Sequence, residues 1–303
     1  MFHNSVLLQE VIENLNVRMD GVYIDATLGG GGMSLSIIEK LKRGLLICID
    51  RDSDAIDNFY VRILEKYKLD VKGKVRFKIN DINIFLYNDD FRNICDILKD
   101  SKIKKGILGV IYDFGVSSFQ IDNVDRGFSY MQDSNLDMRM DKRLSVRAQD
   151  LLNGLYENEL TRIFREFGDE NLASIIAKRI VEYRKREKIE KSSQLLGIIN
   201  GVARNHAYLY RHASRVFQAL RIAVNDELGA IHLSLPQLPK ILDSGGRVEF
   251  LTFQSLEDRE VKQFFKNRHD FSSIYSKPLV PSKEEVEKNI RARSAKLRIY
   301  EKI

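Results

Sequence analysis

Cysteines, regularly spaced histidines and long apolar runs are all scarce in this 303-residue chain. Its two cysteines, Cys48 and Cys95, are too few and too far apart for a disulfide scaffold or a metal knuckle, which favours reduced thiols. The five histidines show no ligand spacing, so we expect no metal. No stretch approaches the ~18 apolar residues of a membrane span, and the N-terminus lacks the basic region of a signal peptide. The sequence predicts a cytoplasmic protein that binds no membrane.

Positive charge is concentrated in one part of the chain. The net charge is +6, and residues 176–221 contain eleven Lys or Arg against three Glu and no Asp. Such a block attracts polyanions by electrostatic steering and counterion release. A solvated helix surface explains the same pattern, so the block by itself does not establish nucleic-acid binding.

Short apolar runs alternate with helical patterns over the first 120 residues, which predicts a parallel sheet. The strand-like runs are GVYIDATLG, GLLICIDRD, KVRFKIND and the segment ending at Asp113, and Ser53 is expected to cap the helix SDAIDNFYVRILEKY. The segment 117–143 has no clear period, and only helices follow it up to about Arg211. Near the C-terminus, GGRVEFLTF, DFSSIYSKP and AKLRIYEKI predict strands that add an antiparallel hairpin. The sheet domain is therefore assigned to residues 1–125 and 213–303, and an all-helical insert to residues 126–212.

The stretch DATLGGGGMS, residues 25–34, follows the first predicted strand and brings backbone close to a ligand. It is not a Walker loop, because no Lys-Ser or Lys-Thr follows the glycines. A dinucleotide fingerprint has glycine where Ser34 stands, which is a mismatch but not an exclusion. What remains is Asp25 followed by Gly29 and Gly31, a pattern typical of class I S-adenosylmethionine-dependent methyltransferases. In those enzymes the glycines admit the amino-acid half of the cofactor, and the carboxylate accepts from its ammonium.

Two further carboxylates stand at strand ends. Asp50 ends the second strand, where it is placed to accept both ribose hydroxyls of an adenosine cofactor. NAD enzymes use the same arrangement, so Asp50 does not separate the two cofactors. Asp113 ends a later strand, at the carboxyl edge where ligands bind in such sheets. Together these residues predict an α/β, class I (Rossmann-like) fold and an adenosine cofactor.

Eight segments resemble, in order, motifs of the MraW/RsmH family, and they cover almost the whole chain. They are HNSVLLQEVI, YIDATLGGGG, DRDSDAI, DFGVSSFQID, RGFSYMQDSNLDMRMD, RVFQALRIAVNDEL, FQSLEDREVK and RARSAKLR. Members of this family are bacterial enzymes that methylate N4 of one cytidine in the decoding region of 16S rRNA. The resemblance implies S-adenosyl-L-methionine as cofactor, a helical insert that helps to dock RNA, and 16S rRNA within the small ribosomal subunit as partner.

The resemblance also implies a set of cofactor contacts: Gly31, Gly32, Met33, Asp50, Ile84, Asp113 and Gln120. Five positions depart from the residues that are usual in the family, which has His at Met33, Phe at Ile84, Pro at Phe119, His at Gln254 and Pro at Ile290. A backbone contact at position 33 survives its change, whereas an aromatic contact to adenine at position 84 does not.

Cytosine N4 is a poor nucleophile, because its lone pair is delocalised into the ring. Methyltransferases with a (D/N/S)-P-P-(Y/F) motif rehybridise such amines with a side-chain oxygen and a backbone carbonyl. The segment DFGV, which begins at Asp113, occupies that place without the prolines. Asp113 is thus a candidate acceptor for the N4 protons, although a carboxylate that contacts only the cofactor explains the pattern equally well. Asp137, with Asp141 and Arg139, is a candidate for holding the cytosine edge or for a structural salt bridge.

An RNA substrate would explain the concentration of basic residues in the segment 176–221. Phosphate contacts are then expected from Arg179, Arg184, Lys185, Arg186 and Arg215, and Arg139 is a further candidate for RNA binding. The target base has to leave its stack, and Phe119, Phe128 and Tyr130 are candidates for stacking on it, although core aromatics look the same in a sequence.

Other functions stay open on the sequence alone. A catalytically idle RNA-binding or ribosome-assembly factor is supported by the changes at positions 33 and 84, and opposed by the three retained carboxylates. A nicotinamide oxidoreductase is disfavoured by Ser34 and by the terminal hairpin. A DNA-cytosine methyltransferase shares the chemistry, and only the resemblance disfavours it. The sequence leaves the oligomeric state open, a homodimer included.

Overall fold

The computed structural model describes residues 5–71, 73–103, 106–203 and 205–303. His3, in the first of the resembling segments, lies outside the described residues. The chain divides into two compact units. One consists of Met1–Gly115 and Leu228–Ile303, and we call it the sheet unit. The other, Val116–Glu227, is the helical unit.

The sheet unit is built on one eight-stranded sheet with the order β3-β4-β2-β1-β5-β6-β8-β7. The strands are β1 Val22–Asp25, β2 Arg43–Ile49, β3 Arg76–Ile79, β4 Asp81–Tyr87, β5 Ile107–Asp113, β6 Leu242–Thr252, β7 Phe271–Ser273 and β8 Lys296–Lys302. The five central strands are parallel, whereas β8 runs antiparallel to both β6 and β7. The predicted α/β, Rossmann-like fold with a mostly parallel sheet and a C-terminal antiparallel hairpin is confirmed.

Helices cover both faces of this sheet. They are α1 Leu8–Asn14, α2 Gly32–Lys40, α3 Ser53–Tyr67, α4 Ile94–Asp100, α11 Glu227–Ser234, α12 Leu238–Ile241, α13 Ser255–Phe265 and α14 Lys283–Lys288. Apolar side chains of α1, α2 and α3 form one core layer, and those of α4, α11, α12 and α13 form the other. Loops at the strand ends are thereby held between two packed layers.

The sequence interpretation missed β4. It assigned one strand to KVRFKIND, whereas the chain folds back at Asn80, with φ 53°, so that β3 and β4 pair antiparallel. The strand parallel to β2 is β4, and β3 is an edge strand. Asn tolerates the left-handed conformation that such a tight reversal needs. The strands that lie side by side along the ligand-binding edge are consequently β4, β2, β1, β5 and β6.

Two helix ends also differ from the prediction. The side chain of Asp52, not Ser53, caps α3 by accepting from the amide of Asp54. The predicted single helix VFQALRIAVNDELGAI is two helices, because Asp226 adopts a left-handed conformation with φ 47°. Both differences arise from Asp, whose short side chain hydrogen-bonds local amides and tolerates positive φ.

The helical unit contains six helices within the described residues: α5 Ser118–Asp122, α6 Ala148–Gly154, α7 Glu157–Gly168, α8 Ala173–Arg184, α9 Ser192–Asn200 and α10 His206–Asn225. They enclose a core of their own. The unit begins at Val116 and ends at Glu227, whereas the sequence placed the boundaries at 126 and 212. The C-terminal boundary differs because α10 continues unbroken past residue 212.

No helix in the described ranges has both the length and the apolar character that a bilayer span requires.

A carboxyl group without a hydrogen-bond partner lies inside the sheet. Glu249 on β6 is fully buried, and neither of its side-chain oxygens has a partner among the described residues. The nearby Arg247 binds Glu301 instead, at 2.8 Å. Burial therefore raises the pKa of Glu249 well above its usual value. Folding therefore favours the neutral form of this side chain, relative to the unfolded chain.

We expect Glu249→Val to stabilise the protein increasingly as the pH rises. Folding raises the pKa of Glu249. The contribution of this side chain to the stability of the wild type is therefore fully present below the unfolded pKa of about 4.3, and it is lost as the pH increases toward the folded pKa. The difference in unfolding free energy should grow by up to ~1.4 kcal/mol per pH unit in that window. Urea unfolding at pH 5, 6, 7 and 8 measures it. Glu249→Gln, which keeps a polar group but cannot ionise, should differ from Val by a constant amount, and parallel curves for wild type and Val would contradict the assignment.

Candidate active site

The loop after β1 is hydrogen-bonded to both neighbouring strands. The amide of Ala26 donates to Ile111 O on β5, and that of Leu28 donates to Ile49 O on β2, each at 2.9 Å. The next amide, Gly29 N, donates to Asp50 Oδ2 at 2.8 Å. The loop thus lies across three parallel strands at their carboxyl edge, where ligands bind in open α/β sheets.

Helix α3 supports the glycine loop from one side. Gly31 has φ +72°, and a Cβ at this position would lie 2.1 Å from the Phe59 ring. Arg62 donates to Gly30 O at 2.9 Å. By contrast, a Cβ added to Gly30 would meet nothing within 4 Å. The loop is therefore held closely by α3 at Gly31, while the space at Gly30 is open.

Helix α2 begins inside this loop. Gly31 is its N-cap, and the amides of Gly32 and Met33 lie in the first turn, where a helix offers no backbone acceptor. The first turn therefore presents amide donors and the positive end of the helix dipole. The Met33 side chain points into the core and is 4% exposed. The predicted contact at Met33 can thus come only from its backbone, so the identity of its side chain matters little there.

Asp50 lies at the end of β2, beside the loop. Its two oxygens accept from Gly29 N and Asp52 N, each at 2.8 Å. Burial of the carboxylate raises its pKa to about 6, against the lowering effect of these two amides. Each carboxylate oxygen has a second lone pair, so two hydroxyl donors can still be accepted. The arrangement suits a pair of adjacent ribose hydroxyls.

Asp25 is buried beneath the glycine loop. It is 1% exposed, and its oxygens accept from Ser34 Oγ at 2.6 Å and from Thr27 N at 3.3 Å. Burial raises the pKa of Asp25 to about 6. The carboxylate thus supports the loop from beneath, and its contact with a cofactor ammonium stays a prediction.

Asp113, at the end of β5, has a carboxylate that forms no hydrogen bond or ion pair with any described residue. Its backbone is nonetheless fixed, because Asp113 N donates to Thr27 Oγ1 at 2.6 Å. Burial, reinforced by the carboxylates of Asp25 and Glu257, raises the pKa of Asp113 to about 8. An unpartnered carboxyl group with a strongly shifted pKa at the carboxyl edge of a sheet indicates a functional site.

Ile84 is fully buried in the middle of β4, paired with Leu46 and Phe77, and three residues short of the strand end. Its expected contact with the cofactor stays a prediction. Two aromatic residues lie nearer the strand end: Tyr87, which ends β4, and Phe91, whose ring centroid is 5.4 Å from that of Tyr112. Sequence reasoning did not single them out because it missed β4.

Gln120 belongs to the helical unit. Its Oε1 accepts from Ser117 N at 3.0 Å in a capping box that begins α5, and the residue is 5% exposed. The side chain thus stabilises a helix start. The cofactor contact expected of Gln120 stays a prediction.

The long segment LDMRMD is held by hydrogen bonds inside the helical unit. Asp137 forms a two-point ion pair with Arg139, with two contacts of 2.8 Å, and Arg139 also donates to Leu144 O. Asn225 binds Met138 O and Met140 N, both at 2.7 Å. Both partners of the ion pair are therefore engaged: although burial opposes it, Arg139 holds the pKa of Asp137 below its usual value. This geometry favours a structural role for Asp137 over a catalytic one, and the RNA contact expected of Arg139 stays a prediction.

The other predicted RNA contacts differ in their availability. Arg179, Lys185 and Arg186 are exposed at α8 and just beyond it. Arg184 is half-buried and donates to Leu152 O at 2.6 Å, so its guanidinium is partly engaged. Arg215 on α10 is also half-buried.

Of the three aromatic candidates for base stacking, Phe119 is 45% exposed. Phe128 and Tyr130 pack against the core of the helical unit, with Tyr130 in edge contact with Phe217. These two rings are half-buried, so Phe119 is the most exposed of the three.

Two of the resembling motifs meet in one ion pair. Asp258 of FQSLEDREVK and Arg298 of RARSAKLR bind through two contacts of 2.6 and 3.1 Å, joining α13 to β8. Gln254, which precedes α13, has a buried Oε1 that finds no hydrogen-bond partner in the part of the chain that the structure describes, and Ile290 is exposed. No group of three or more His, Cys, Asp or Glu side chains is placed to hold a metal among the described residues.

A model of the MraW methylase family matches residues 1–303, the full length of the chain. The chain belongs to the MraW methylase family. It is 42% identical over 322 aligned positions to ribosomal RNA small subunit methyltransferase H of Clostridioides difficile, covering 99% of both chains. It is 41% identical over 320 positions to the protein of the same name from Caldicellulosiruptor saccharolyticus, again covering 99% of both. Among solved structures, an rRNA methylase from Streptococcus thermophilus aligns over 98% of this chain and 93% of its own, with 11% identity and a TM-score of 0.41.

S-adenosylmethionine, the cofactor of the MraW methylase family, fits the residues at this edge of the sheet. The loop leaves open space at Gly30, and α2 presents the amides of its first turn. Asp50 keeps lone pairs for ribose hydroxyls, and Asp113 offers an unpartnered carboxylate to a cation. Gly29, Gly31, Gly32, Asp50 and Asp113 are therefore the residues that would hold the cofactor, since their donors and acceptors match its chemistry.

Proposed function

We propose that this MraW methylase methylates N4 of a cytidine in 16S rRNA of the small ribosomal subunit, in the decoding region. The names of its relatives support small-subunit rRNA as the substrate. The observation that carries the proposal is the Asp113 carboxylate, unpartnered, desolvated and fixed through its backbone at the edge of the glycine loop.

Asp113 performs the proton transfer in this proposal. S-adenosylmethionine supplies a methyl group on a sulfonium, which is transferred by in-line displacement. As the N–C bond forms, N4 loses a proton to the Asp113 carboxylate, whose pKa of about 8 makes it a stronger base than an ordinary Asp. A cation close to this carboxylate favours its ionised form. The hydrogen bond from Asp113 N to Thr27 Oγ1 keeps the acceptor in place.

The exposed cations at and after α8 supply a docking surface for the RNA backbone. Arg179, Lys185 and Arg186 project into solvent, where they release counterions when they neutralise phosphates. Such contacts position the substrate without selecting its sequence.

Replacing Arg179, Lys185 and Arg186 together by Ala should weaken RNA binding at low salt. The slope of log K against log salt concentration should fall by about 2, since each lost phosphate contact to single-stranded RNA removes ~0.7. Binding of a fluorescent decoding-region RNA between 50 and 300 mM salt measures this slope.

Lys40, Lys42 and Arg43 provide the matched control, because they are equally exposed and lie where β2 begins, at the opposite end of the strands from the glycine loop. Their triple Ala variant carries the same change in charge and should leave the slope close to that of the wild type. An equal loss in both triple variants would assign the effect to net charge and contradict a defined docking surface.

The test of the proposed function is methyl transfer from labelled S-adenosylmethionine to small ribosomal subunits that lack the modification, followed by nucleoside mass spectrometry. N4-methylcytidine at a single site supports it. Methylation of another base or atom, or cofactor binding without transfer to the subunit, would overturn it. The idle-factor alternative has lost its support, because the Met33 and Ile84 side chains both lie in the core, away from the ligand edge.

A further inference from the structure

A hydroxyl group lies beneath the glycine loop with no access to solvent. Ser34, on α2, is fully buried, and its Oγ donates to Asp25 Oδ2 at 2.6 Å. The Sγ of Cys48, on β2, lies 3.3 Å from Ser34 Oγ. The dinucleotide fingerprint has glycine at the position of Ser34. The small size of serine is only part of the reason why it suits this position. It is the side-chain donor that satisfies the buried Asp25 carboxylate.

The hydrogen bonds continue from Asp25 to the candidate catalytic group. Asp25 Oδ1 accepts from Thr27 N at 3.3 Å, and Thr27 Oγ1 accepts from Asp113 N at 2.6 Å. Ser34, Asp25, Thr27 and Asp113 thus form one chain of contacts. It runs from the helix that begins in the glycine loop to the carboxyl end of β5.

We propose that Ser34 is a positioning residue, which holds the buried Asp25 carboxylate against Thr27 and thereby sets both the glycine loop and Asp113 for the cofactor. A buried carboxylate needs donors to stay ionised, because burial in an apolar core favours its neutral form. The Ser34 hydroxyl is a short, charge-assisted donor, which is the strong kind of hydrogen bond. Without it, Asp25 takes up a proton, its bond to the Thr27 amide weakens, and the loop loses its fixed shape. The inference rests on cofactor binding at this loop.

Two titratable groups face Asp25 from the neighbouring strands: the thiol of Cys48 and the carboxyl of Asp113. Burial raises the pKa of Cys48 well above its usual value, so the thiol stays neutral across the working range. Burial also raises the pKa of Asp25 to about 6, and Ser34 is the main influence that lowers it. Since Asp113 titrates near 8, it adds a second change with pH that has to be separated from the first.

The experiment is calorimetric binding of S-adenosylhomocysteine to the full chain between pH 6 and 9. Ser34→Ala should bind about tenfold more weakly than wild type at pH 7 and approach wild-type affinity at pH 9, where Asp25 ionises without the hydroxyl. Asp25→Asn, which keeps the size of the side chain and cannot ionise, should be weak at every pH. Ser36→Ala is the matched control, since Ser36 is on the same helix and donates to Gly32 O instead. It should follow the wild-type curve.

Repeating the titration in an Asp113→Asn background removes the second change with pH. Thermal melting at each pH shows whether each variant is folded. If Ser34→Ala does not fold, Asp25→Asn tests the same chain of hydrogen bonds. Weakening of Ser34→Ala by an equal factor at all pH values would indicate a packing defect and overturn the proposal, as would unchanged affinity. Failure of the RNA substrate assignment leaves these binding curves intact, whereas a wild-type chain that binds no cofactor would overturn the inference at its base.

Discussion

Asp113→Asn is expected to reduce the rate of methyl transfer by about 10²–10⁴-fold, the range typical of a lost general base. The substitution keeps the size of the side chain and removes the proton acceptor at the end of β5. In the wild type, the raised pKa means that the ionised form is gained as the pH rises, so the rate should increase through about pH 8 and level off above it. Single-turnover rates from pH 6 to 9 measure this, and the variant should show a flat profile.

The same variant should also be more stable than the wild type. Folding raises the pKa of Asp113 above its unfolded value of about 3.9, so the wild type loses stability as the pH rises from there toward 8. Thermal melting at pH 8 should therefore show a higher melting temperature for Asp113→Asn. A rate that falls while stability rises is the signature of a group kept for chemistry.

Asp20→Asn is the control for these measurements, because Asp20 is an exposed carboxylate whose ion-pair partner is the exposed Arg43. It should leave both rate and stability unchanged. Cofactor affinity separates the two roles of Asp113: a proton acceptor predicts a large loss of rate with binding changed only a few-fold, and a cofactor ligand predicts the loss in binding. A variant that keeps wild-type rates with the wild-type pH profile would remove Asp113 from the mechanism.

Gly31→Ala is expected to weaken S-adenosylmethionine binding at least ~30-fold and to lower the melting temperature. Two costs add at this residue. The backbone has φ +72°, which costs an L-residue about 1–2 kcal/mol, and the new methyl group would lie 2.1 Å from the Phe59 ring, where overpacking costs about 1–3 kcal/mol. Relief of either cost moves the loop away from the ligand edge. Calorimetric binding and thermal melting measure the two effects.

Gly30→Ala is the neighbouring control for the fold. A Cβ at this position meets nothing within 4 Å, and Gly30 does not have the positive φ of Gly31. Its melting temperature should therefore match the wild type. If Gly31→Ala bound the cofactor as well as wild type does, the close packing of the loop on α3 would have no part in cofactor binding.

The sequence was most informative where local backbone chemistry decides the structure. Glycines at positions 29 and 31 predicted a tight loop, and both have positive φ. The alternation of apolar runs predicted the parallel sheet, which places Asp50 and Asp113 at the same edge because the ends of parallel strands coincide. These features depend on residues near one another in the chain, and a single sequence contains that information.

What the sequence did not reveal is which partner each side chain meets. Asp25 accepts a hydrogen bond from Ser34, a contact nine residues along the chain that spacing does not reveal. Arg139, a candidate for RNA binding, is bound by Asp137. Ile84 was expected at the ligand edge, and the unrecognised strand β4 places it in mid-sheet.

Periodicity and turn chemistry are local, so the fold class, the position of the glycine loop and two carboxylates at strand ends could be predicted from the sequence. Which of two carboxylates lacks a partner depends on packing in the folded chain. Asp25 is buried and Asp113 half-buried at the strand ends, and Ser34 reaches the first, while no described side chain reaches the second. That difference leaves Asp113 with a pKa of about 8 and free lone pairs, and it arises from packing between distant segments, where hydrogen-bond satisfaction and desolvation are set.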